Sequence, residues 1–347
     1  MDRLQRYRRL EEQYRALHET PDRCEPLVMI DIPVPNCPDC HEQLHSPQKM
    51  LEAGWKKIRL HEEIGDDTLP MVRVEFGTAQ VAAAFGCELR EIPGSLPACA
   101  THSLQRTEDV WTFRSPGMED GLLPRIREYT ACYRSRLPEG IAIQHPDIAG
   151  PFNSAHLIRG NDILFDFYDD PAAVRELLRR VTDYTIDFLH ETKKLVPPLQ
   201  GWFYDMGGLW KGAARISNCS LQIVSPAHYR ALILPEDIRF FEAVGGGRMH
   251  YCGSHPEVIE DFFKIPNLYS LELDCQYHDL LEISERCPPG MVLRFCDWSV
   301  TSGNGDWLPR LLSGRVPAKK NLVISAKAEN IEEAKRLYDC IKNTLVR

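Results

Sequence analysis

The residues best suited to chemistry are His250 and Cys252, which lie two positions apart in the segment GGGRMHYCGSHPE. This segment predicts a β-strand, and side chains at positions i and i+2 of a strand point the same way. The imidazole and the thiolate could therefore converge on one metal ion, and this nitrogen and sulfur pair suits zinc better than magnesium or calcium. On spacing alone, a buried histidine and cysteine that only pack the strand remain the alternative.

A metal site needs a further ligand, and polar residues at the ends of other predicted strands are the candidates. We predict Cys296 as the third ligand, with Cys275 as the nearest alternative in chain order. Asp205 and His145 could supply an oxygen or a nitrogen, and we also predict them as catalytic residues in proton transfer. For Asp205, capping a turn is an equally good interpretation. The same strand-end rule adds Asp31, Asp147, Asp274 and Asp297.

Other motifs carry less information. CPDCH at 37–41 has the form of a haem attachment site or of half a zinc ribbon, but no second CxxC exists, so we interpret it as a loop with ordinary thiols. The three glycines at 245–247 precede their strand, whereas a dinucleotide-binding loop follows one. Without a Walker loop, a GxSxG elbow or an HExxH motif, the usual nucleotide hydrolases, serine hydrolases and metalloproteases are disfavoured.

The elements that must position these residues alternate between short apolar runs and helical patterns. The apolar runs predict eight strands, at 27–32, 71–76, 141–145, 201–205, 248–252, 268–274, 291–296 and 321–326. Eight strands with intervening helices predict an α/β fold of the (β/α)8 TIM-barrel type, with a doubly wound open sheet as the alternative. Barrel enzymes carry their active sites at the carboxyl ends of the strands, where the predicted ligands lie.

We expect one domain over residues 1–347, in which 1–26 form an N-terminal helical extension. That helix has Leu4, Tyr7, Leu10 and Tyr14 at helical spacing, and it could cover the barrel or mediate a dimer. Glycine- and proline-rich stretches, such as 92–99 and 301–307, are expected to be loops over the barrel mouth.

Composition narrows the class of partner. The net charge of -9 disfavours binding to nucleic acid, and no run of residues is long and apolar enough for a membrane span or a signal peptide. We therefore expect a cytoplasmic protein, a monomer or homodimer, in which the 12 cysteines are reduced thiols. Small molecules and proteins are the expected partners.

The segments NDILFDFYDDPAAVRELLRRVTDYTIDFL and GLWKGAARISNCSLQIVSPAHYRALILPEDIRFFEAVGGGRMHYCG resemble the uroporphyrinogen decarboxylase superfamily. The resemblance is greatest to the methylcobalamin:coenzyme M methyltransferase branch. It extends from about Pro70 to the C-terminus, is strongest from Gly150 to Gly253, and implies a (β/α)8 barrel.

In the methyltransferase branch a His-x-Cys-Gly motif supplies two zinc ligands, matched here by His250, Cys252 and Gly253. The resemblance implies a zinc ion that activates a thiol acceptor, and a corrinoid, carried by a partner protein, that supplies the methyl group. The family's third ligand, a cysteine after the last strand, is absent, because that strand ends in SAK at 325–327. Cys340 lies too far along the terminal helix to replace it.

True uroporphyrinogen decarboxylases bind substrate carboxylates through arginines near the first strand, where this chain reads DIPVPNCPDCHEQL without an arginine. The first hypothesis is therefore a zinc-dependent, corrinoid-linked methyltransferase. A cofactor-free decarboxylase, that is a lyase acting on a porphyrinogen-like or other carboxylated substrate, is the alternative. A barrel that binds without catalysis is the third possibility.

Overall fold

The computed structural model describes residues 3–296 and 305–345. Asp297 lies outside these residues, as does most of the predicted loop at 301–307. The strands are β1 (Leu27–Asp31), β2 (Met71–Arg73), β3 (Leu89–Arg90), β4 (Ala98–Cys99), β5 (Ala142–Gln144), β6 (Ile148–Ala149), β7 (Trp202–Asp205), β8 (Gly208–Lys211), β9 (Ala214–Ser217), β10 (Gly247–Tyr251), β11 (Leu268–Asp274), β12 (Val292–Cys296) and β13 (Leu322–Lys327).

The α-helices of the described residues surround the strands. They are α1 (Arg3–Glu19), α2 (Cys40–His45), α3 (Pro47–Ile64), α4 (Gln80–Ala84), α5 (Leu123–Arg134), α6 (Pro151–Arg159), α7 (Ile163–Asp169), α8 (Pro171–Lys193), α9 (Pro226–His228), α10 (Leu234–Val244), α11 (Pro256–Phe262), α12 (Leu280–Arg286), α13 (Trp307–Leu312) and α14 (Ile331–Leu345). Several begin with proline in the first turn, where a missing N–H costs no helical hydrogen bond.

The central sheet is parallel, in the order β1-β13-β12-β11-β10-β9-β6, and β2 pairs in parallel with β5. β5 and β6 are the two ends of one extended segment, which is interrupted at Pro146, a residue with no N–H for the ladder. Counted as one strand, this segment completes eight parallel strands in the described part of the chain. The predicted (β/α)8 barrel is confirmed.

One predicted barrel strand is wrong. The segment at 201–205 does form a strand, β7, but it pairs antiparallel with β8 as a hairpin outside the ring. The fourth barrel strand is instead β9, which pairs with β6 on one side and β10 on the other. Because β9 is only 4 residues long and one of them is Arg215, its sequence is too short to show an apolar run.

The hairpin and α1 close the amino-terminal end of the barrel. Tyr14 of α1 and Trp210 of β8 are fully buried, and they pack with Leu27 and Val292, the first residues of two barrel strands. The N-terminal helix therefore covers its own barrel, which was one of the two roles considered for it.

The seam between β1 and the segment before β2 is closed largely by side chains, with one backbone bond from the Asp67 amide to the Val28 carbonyl at 3.0 Å. The backbone amides of Val28 and Ile30 each donate to a carboxylate oxygen, at 2.8 Å, of Asp67 and Asp66 respectively. A cavity of about 570 Å³ lies beside this seam. Its lining includes Asp31, Arg73, Arg294 and Lys327.

Candidate metal centre

The register of two neighbouring barrel strands brings three ligand-type side chains together. Ser217 of β9 lies opposite His250 of β10, so the residues two positions further on, Cys219 and Cys252, also come side by side. The potential ligand atoms of Cys219, His250 and Cys252 all lie within 4.8 Å of one another. The predicted pair thus has a third partner, Cys219, that the sequence reasoning missed.

Cys219 begins a short 3-10 helix, Cys219–Ile223, directly after β9. The preceding residue, Asn218, donates its backbone N–H to the His250 carbonyl at 2.9 Å. Its side-chain Nδ2 donates to Oδ2 of the buried Asp237 at 3.0 Å. Asn218 therefore fixes the Cys219 backbone against the strand that carries the other two residues.

The pKa values of the two thiols, Cys219 and Cys252, are shifted in opposite directions. The hydrogen bond from Cys219 and the contact with His250 outweigh burial and lower the pKa of Cys252 to about 5. The same hydrogen bond and burial raise the pKa of Cys219 well above the ordinary thiol value. Cys252 is therefore a thiolate at neutral pH that accepts a hydrogen bond from the Cys219 thiol, and thiolates are the form that binds metal.

A buried carboxylate orients His250. The Nδ1 atom of His250 lies 2.8 Å from Oε1 of Glu272 on the adjacent strand β11. Burial alone would lower the pKa of His250, but hydrogen bonds to Cys252 and Glu272 raise it above its usual value. A carboxylate on one ring nitrogen is the common partner of a metal-binding histidine, since it fixes the ring and directs the other nitrogen to the metal.

Glu272 in turn is held by three arginines inside the barrel. Its carboxylate lies 2.9 Å from Arg215 and 3.3 Å from Arg294, and it also contacts Arg248. Burial would raise the pKa of Glu272, but these three cations hold it well below its usual range. The carboxylate is therefore ionised at all ordinary pH values.

The predicted catalytic residue Asp205 lies away from the three-residue group. Asp205 ends β7 in the hairpin at the closed end of the barrel, so it is not at the end of a barrel strand. Its Oδ2 lies 2.7 Å from Arg248 Nη1, and its Oδ1 accepts from Gln144 Nε2 at 2.8 Å. Arg248 also stacks 3.9 Å from the Trp210 ring centroid, which anchors this corner of the interior.

His145, the other predicted catalytic residue, is buried where the third barrel strand is interrupted. Its Nδ1 donates to the Pro146 carbonyl at 2.9 Å, and its ring stacks on Phe203. Burial lowers the pKa of His145, which favours the neutral ring. It does not line the cavity or join the three-residue group.

Cys296, predicted as the third ligand, is the last residue of β12. It is buried, its Sγ contacts the Leu273 carbonyl at 3.6 Å, and burial raises its pKa well above the usual value. Cys296 is not part of the group around His250. Cys275 follows β11, and its backbone N–H donates to the Cys296 carbonyl at 2.8 Å. The structure thus brings together two of the three predicted ligands and adds Cys219.

Charged side chains connect the ligand group to the cavity, whose lining does not include Cys219, His250 or Cys252. Arg73, on the cavity wall, lies 3.7 Å from Asp147. Asp147 in turn pairs with Arg215 at 2.7 Å, and Arg215 contacts Glu272 behind His250.

The eight parallel strands of the described residues define the fold class as a (β/α)8 barrel. Residues 38–195 match the model of the uroporphyrinogen decarboxylase family. The match and the fold confirm the resemblance to the uroporphyrinogen decarboxylase superfamily. The matched range ends before Cys219, so it carries no information about the three-residue group.

Among solved structures, a methyltransferase from Methanosarcina mazei is similar, with a TM-score of 0.73 and 15% sequence identity over 96% of this chain and 98% of that chain. At this identity the similarity establishes the fold alone. No curated protein sequence matches the chain. In the described residues, no helix has both the length and the apolar character needed to cross a membrane.

Proposed function

We propose that this protein is a zinc-dependent methyltransferase that moves a methyl group between a corrinoid, carried by a partner protein, and a small thiol acceptor. The observation that carries the proposal is the convergence of Cys219, His250 and Cys252 after two adjacent barrel strands. Their position at the carboxyl ends of these strands is where barrel enzymes place their chemistry.

The three side chains fit a catalytic zinc ion. Two sulfurs and one imidazole nitrogen are a preferred zinc donor set, and catalytic zinc sites keep three protein ligands and one open position. Cys252 already favours the thiolate, and Glu272 orients the His250 ring. When bound, zinc would lower the pKa of an acceptor thiol at the open position and so make it a better nucleophile.

The residues around the group have defined tasks in this proposal. Glu272 holds the His250 ring, and Arg215, Arg248 and Arg294 keep Glu272 ionised, so that it remains the acceptor for His250 Nδ1. Asp205 contacts Arg248, which supports a positioning role for this residue. The catalytic roles of Asp205 and His145 in proton transfer stay predictions.

The decarboxylase alternative rests on the cavity rather than on the ligand group. A lyase for carboxylated substrates needs cations that are available to the substrate, and Arg73, Arg294 and Lys327 line the cavity. Arg215 and Arg248 are instead paired with buried carboxylates. The alternative does not account for the convergence of Cys219, His250 and Cys252, so the methyltransferase stays the first proposal.

Metal analysis tests the ligand set directly. We expect purified wild-type protein to retain one zinc ion against a competing chelator. Cys219→Ser and Cys252→Ser should each lose it, with an affinity drop greater than the roughly 10–100-fold typical of a lost outer hydrogen bond. Cys296→Ser is the matched control and should bind as wild type does. Zinc retained in Cys219→Ser but lost in Cys296→Ser would contradict the ligand set proposed here.

Activity separates the methyltransferase from a barrel that only binds. Methylcobalamin changes its absorption spectrum on demethylation, so the zinc-loaded protein can be mixed with it and a panel of small thiols. We expect demethylation that depends on zinc and on Cys219. Tight zinc binding without turnover on any thiol would favour the non-catalytic barrel, and turnover unaffected by chelator would favour chemistry without metal.

A further inference from the structure

A second cluster of ligand-type side chains lies on the surface, outside the group around His250. His41 and His45 occupy positions i and i+4 of α2, and Glu91 directly follows β3. The Nδ1 atom of His41 lies 2.8 Å from Oε2 of Glu91, and the Nε2 atom of His45 lies 2.7 Å from Oε1. One carboxylate thus faces two imidazoles, each through a different oxygen.

The cluster is built from two loops that are far apart in sequence. α2 lies in the connection after the first barrel strand, and β3 lies in the connection after the second, so both belong to the carboxyl end of the barrel. Residues four apart on a helix share one face, which explains why both imidazoles reach Glu91. The two ring centroids are 4.5 Å apart.

Local hydrogen bonds hold α2 in this geometry although it is short. Asp39 and Glu42 form a capping box, in which the Asp39 side chain accepts from the Glu42 N–H and the Glu42 side chain accepts from the Asp39 N–H. The Gln43 side chain donates to the Pro38 carbonyl at 2.7 Å. The spacing of the two histidines is therefore fixed before any ligand binds.

We propose that His41, His45 and Glu91 form a divalent-cation site of the zinc class that ties the loop after β1 to the β3–β4 hairpin. Two imidazole nitrogens and a carboxylate oxygen suit zinc, nickel or copper better than magnesium or calcium. The potential ligand atoms of the three residues lie within 4.8 Å of one another. Neighbouring ligand atoms around tetrahedral zinc are about 3.3 Å apart at the usual bond lengths, so each nitrogen–oxygen contact opens by about 0.5 Å when an ion replaces the shared protons.

The place of this site gives it a consequence for the cavity. Val34, Cys37 and Gln43, from the same connection as His41 and His45, line the cavity. An ion bound at the cluster therefore fixes a segment of the cavity wall to the hairpin. The side chains of His41, His45 and Glu91 are 73%, 53% and 44% exposed, so an ion can reach them from solvent and water can complete its coordination.

Cobalt(II) titration distinguishes this site from the group around His250, because cobalt bound to thiolate gives a charge-transfer band that cobalt bound to imidazole and carboxylate lacks. We expect wild type to bind one ion without this band. His45→Ala should lose that ion, with affinity reduced more than about 100-fold, while any sulfur-bound ion stays. His190→Ala removes an exposed histidine from α8 and is the matched control. A band-free ion retained in His45→Ala would overturn the proposal, as would the absence of any band-free ion in wild type.

Hydrogen exchange tests whether the ion ties the two loops together. Zinc should slow amide exchange in both 32–46 and 88–100 of wild type by severalfold and leave His45→Ala unchanged. Because Cys252→Ser keeps this cluster, the same slowing is expected there, and the result does not depend on the methyltransferase proposal. Equal exchange with and without zinc in wild type would overturn the tie between the loops.

Discussion

Asp237 provides a quantitative test of how the Cys219 loop is held. This residue of α10 is fully buried, and its Oδ2 accepts from Asn218 Nδ2 at 3.0 Å and from the Tyr229 hydroxyl at 3.2 Å. Burial raises the pKa of Asp237 to about 7, although these two donors lower it. The ordinary pKa of an aspartate is 3.8, so between pH 3.8 and about 7 the carboxyl is protonated in the folded state and ionised in the unfolded state.

The sign of the pH dependence follows. A group with a raised pKa in the folded state contributes its full stability below the unfolded pKa and loses it as pH rises towards the folded value. At about 1.4 kcal/mol per pKa unit, the free energy of unfolding of wild type falls by about 2 kcal/mol at pH 5 and by about 4 kcal/mol at pH 8, both relative to a pH below 3.8 where the carboxyl is protonated in both states. Asp237→Asn keeps the acceptor oxygen for Asn218 and Tyr229 but cannot ionise. The variant should therefore gain about 2–3 kcal/mol on wild type between pH 5 and pH 8.

Urea denaturation of both proteins at the two pH values measures this change, and comparing them across pH cancels any fixed cost of the substitution. Asp187→Asn, at an exposed position of α8, is the control and should track wild type at both values. If Asp237→Asn differs from wild type by the same free energy at pH 5 and pH 8, the buried carboxyl is not protonated in the way the structure indicates.

Two further substitutions test the support of the metal group. Glu272→Gln leaves three buried arginines without their shared carboxylate, so the free energy of unfolding should fall by about 3–5 kcal/mol. The variant also loses the carboxylate that orients His250, so zinc affinity should fall by roughly 10–100-fold. An unchanged midpoint of urea denaturation would contradict the charge network. Gly150→Ala places a Cβ atom against the Asn218 side-chain oxygen, so the free energy of unfolding should fall by about 1–3 kcal/mol and zinc affinity should fall with it. Gly290→Ala is the control, because its added Cβ meets no atom, and it should change neither quantity.

The barrel could be predicted because most of its strands keep apolar residues on the face that packs against the helices, even where the other face carries polar residues. The fourth strand escaped prediction because it is only 4 residues long and one of them is Arg215, which leaves two apolar residues. A charge alone does not hide a strand, since β12 carries Arg294 within a longer apolar run. Arg215 is buried because Asp147 and Glu272, distant in sequence, neutralise it. No local pattern of hydropathy reports such partners, so the aromatic run at 201–205 is the stronger signal in the sequence.

The same error hid Cys219. Asn218 and Cys219 follow β9, and active-site residues of barrel enzymes follow barrel strands, so a correct prediction of β9 would have indicated both residues. His250 and Cys252 could be found because their spacing on one strand is visible in sequence. The proximity of Cys219 depends on the register between two strands, which the order of residues does not reveal.

The seam between β1 and β2 makes closure of the barrel depend on side chains. Asp67, which accepts from the Val28 amide, also binds Lys342 and Tyr338 of α14. The last helix is thereby coupled to the first strand through one carboxylate. A ladder of backbone bonds survives almost any substitution, but at this seam the replacement of Asp67 removes the side-chain bonds to Val28 and to α14 together. Asp66 and the backbone bond from the Asp67 amide to the Val28 carbonyl would still cross the seam. The ring therefore has an edge whose strength depends on which residues stand there.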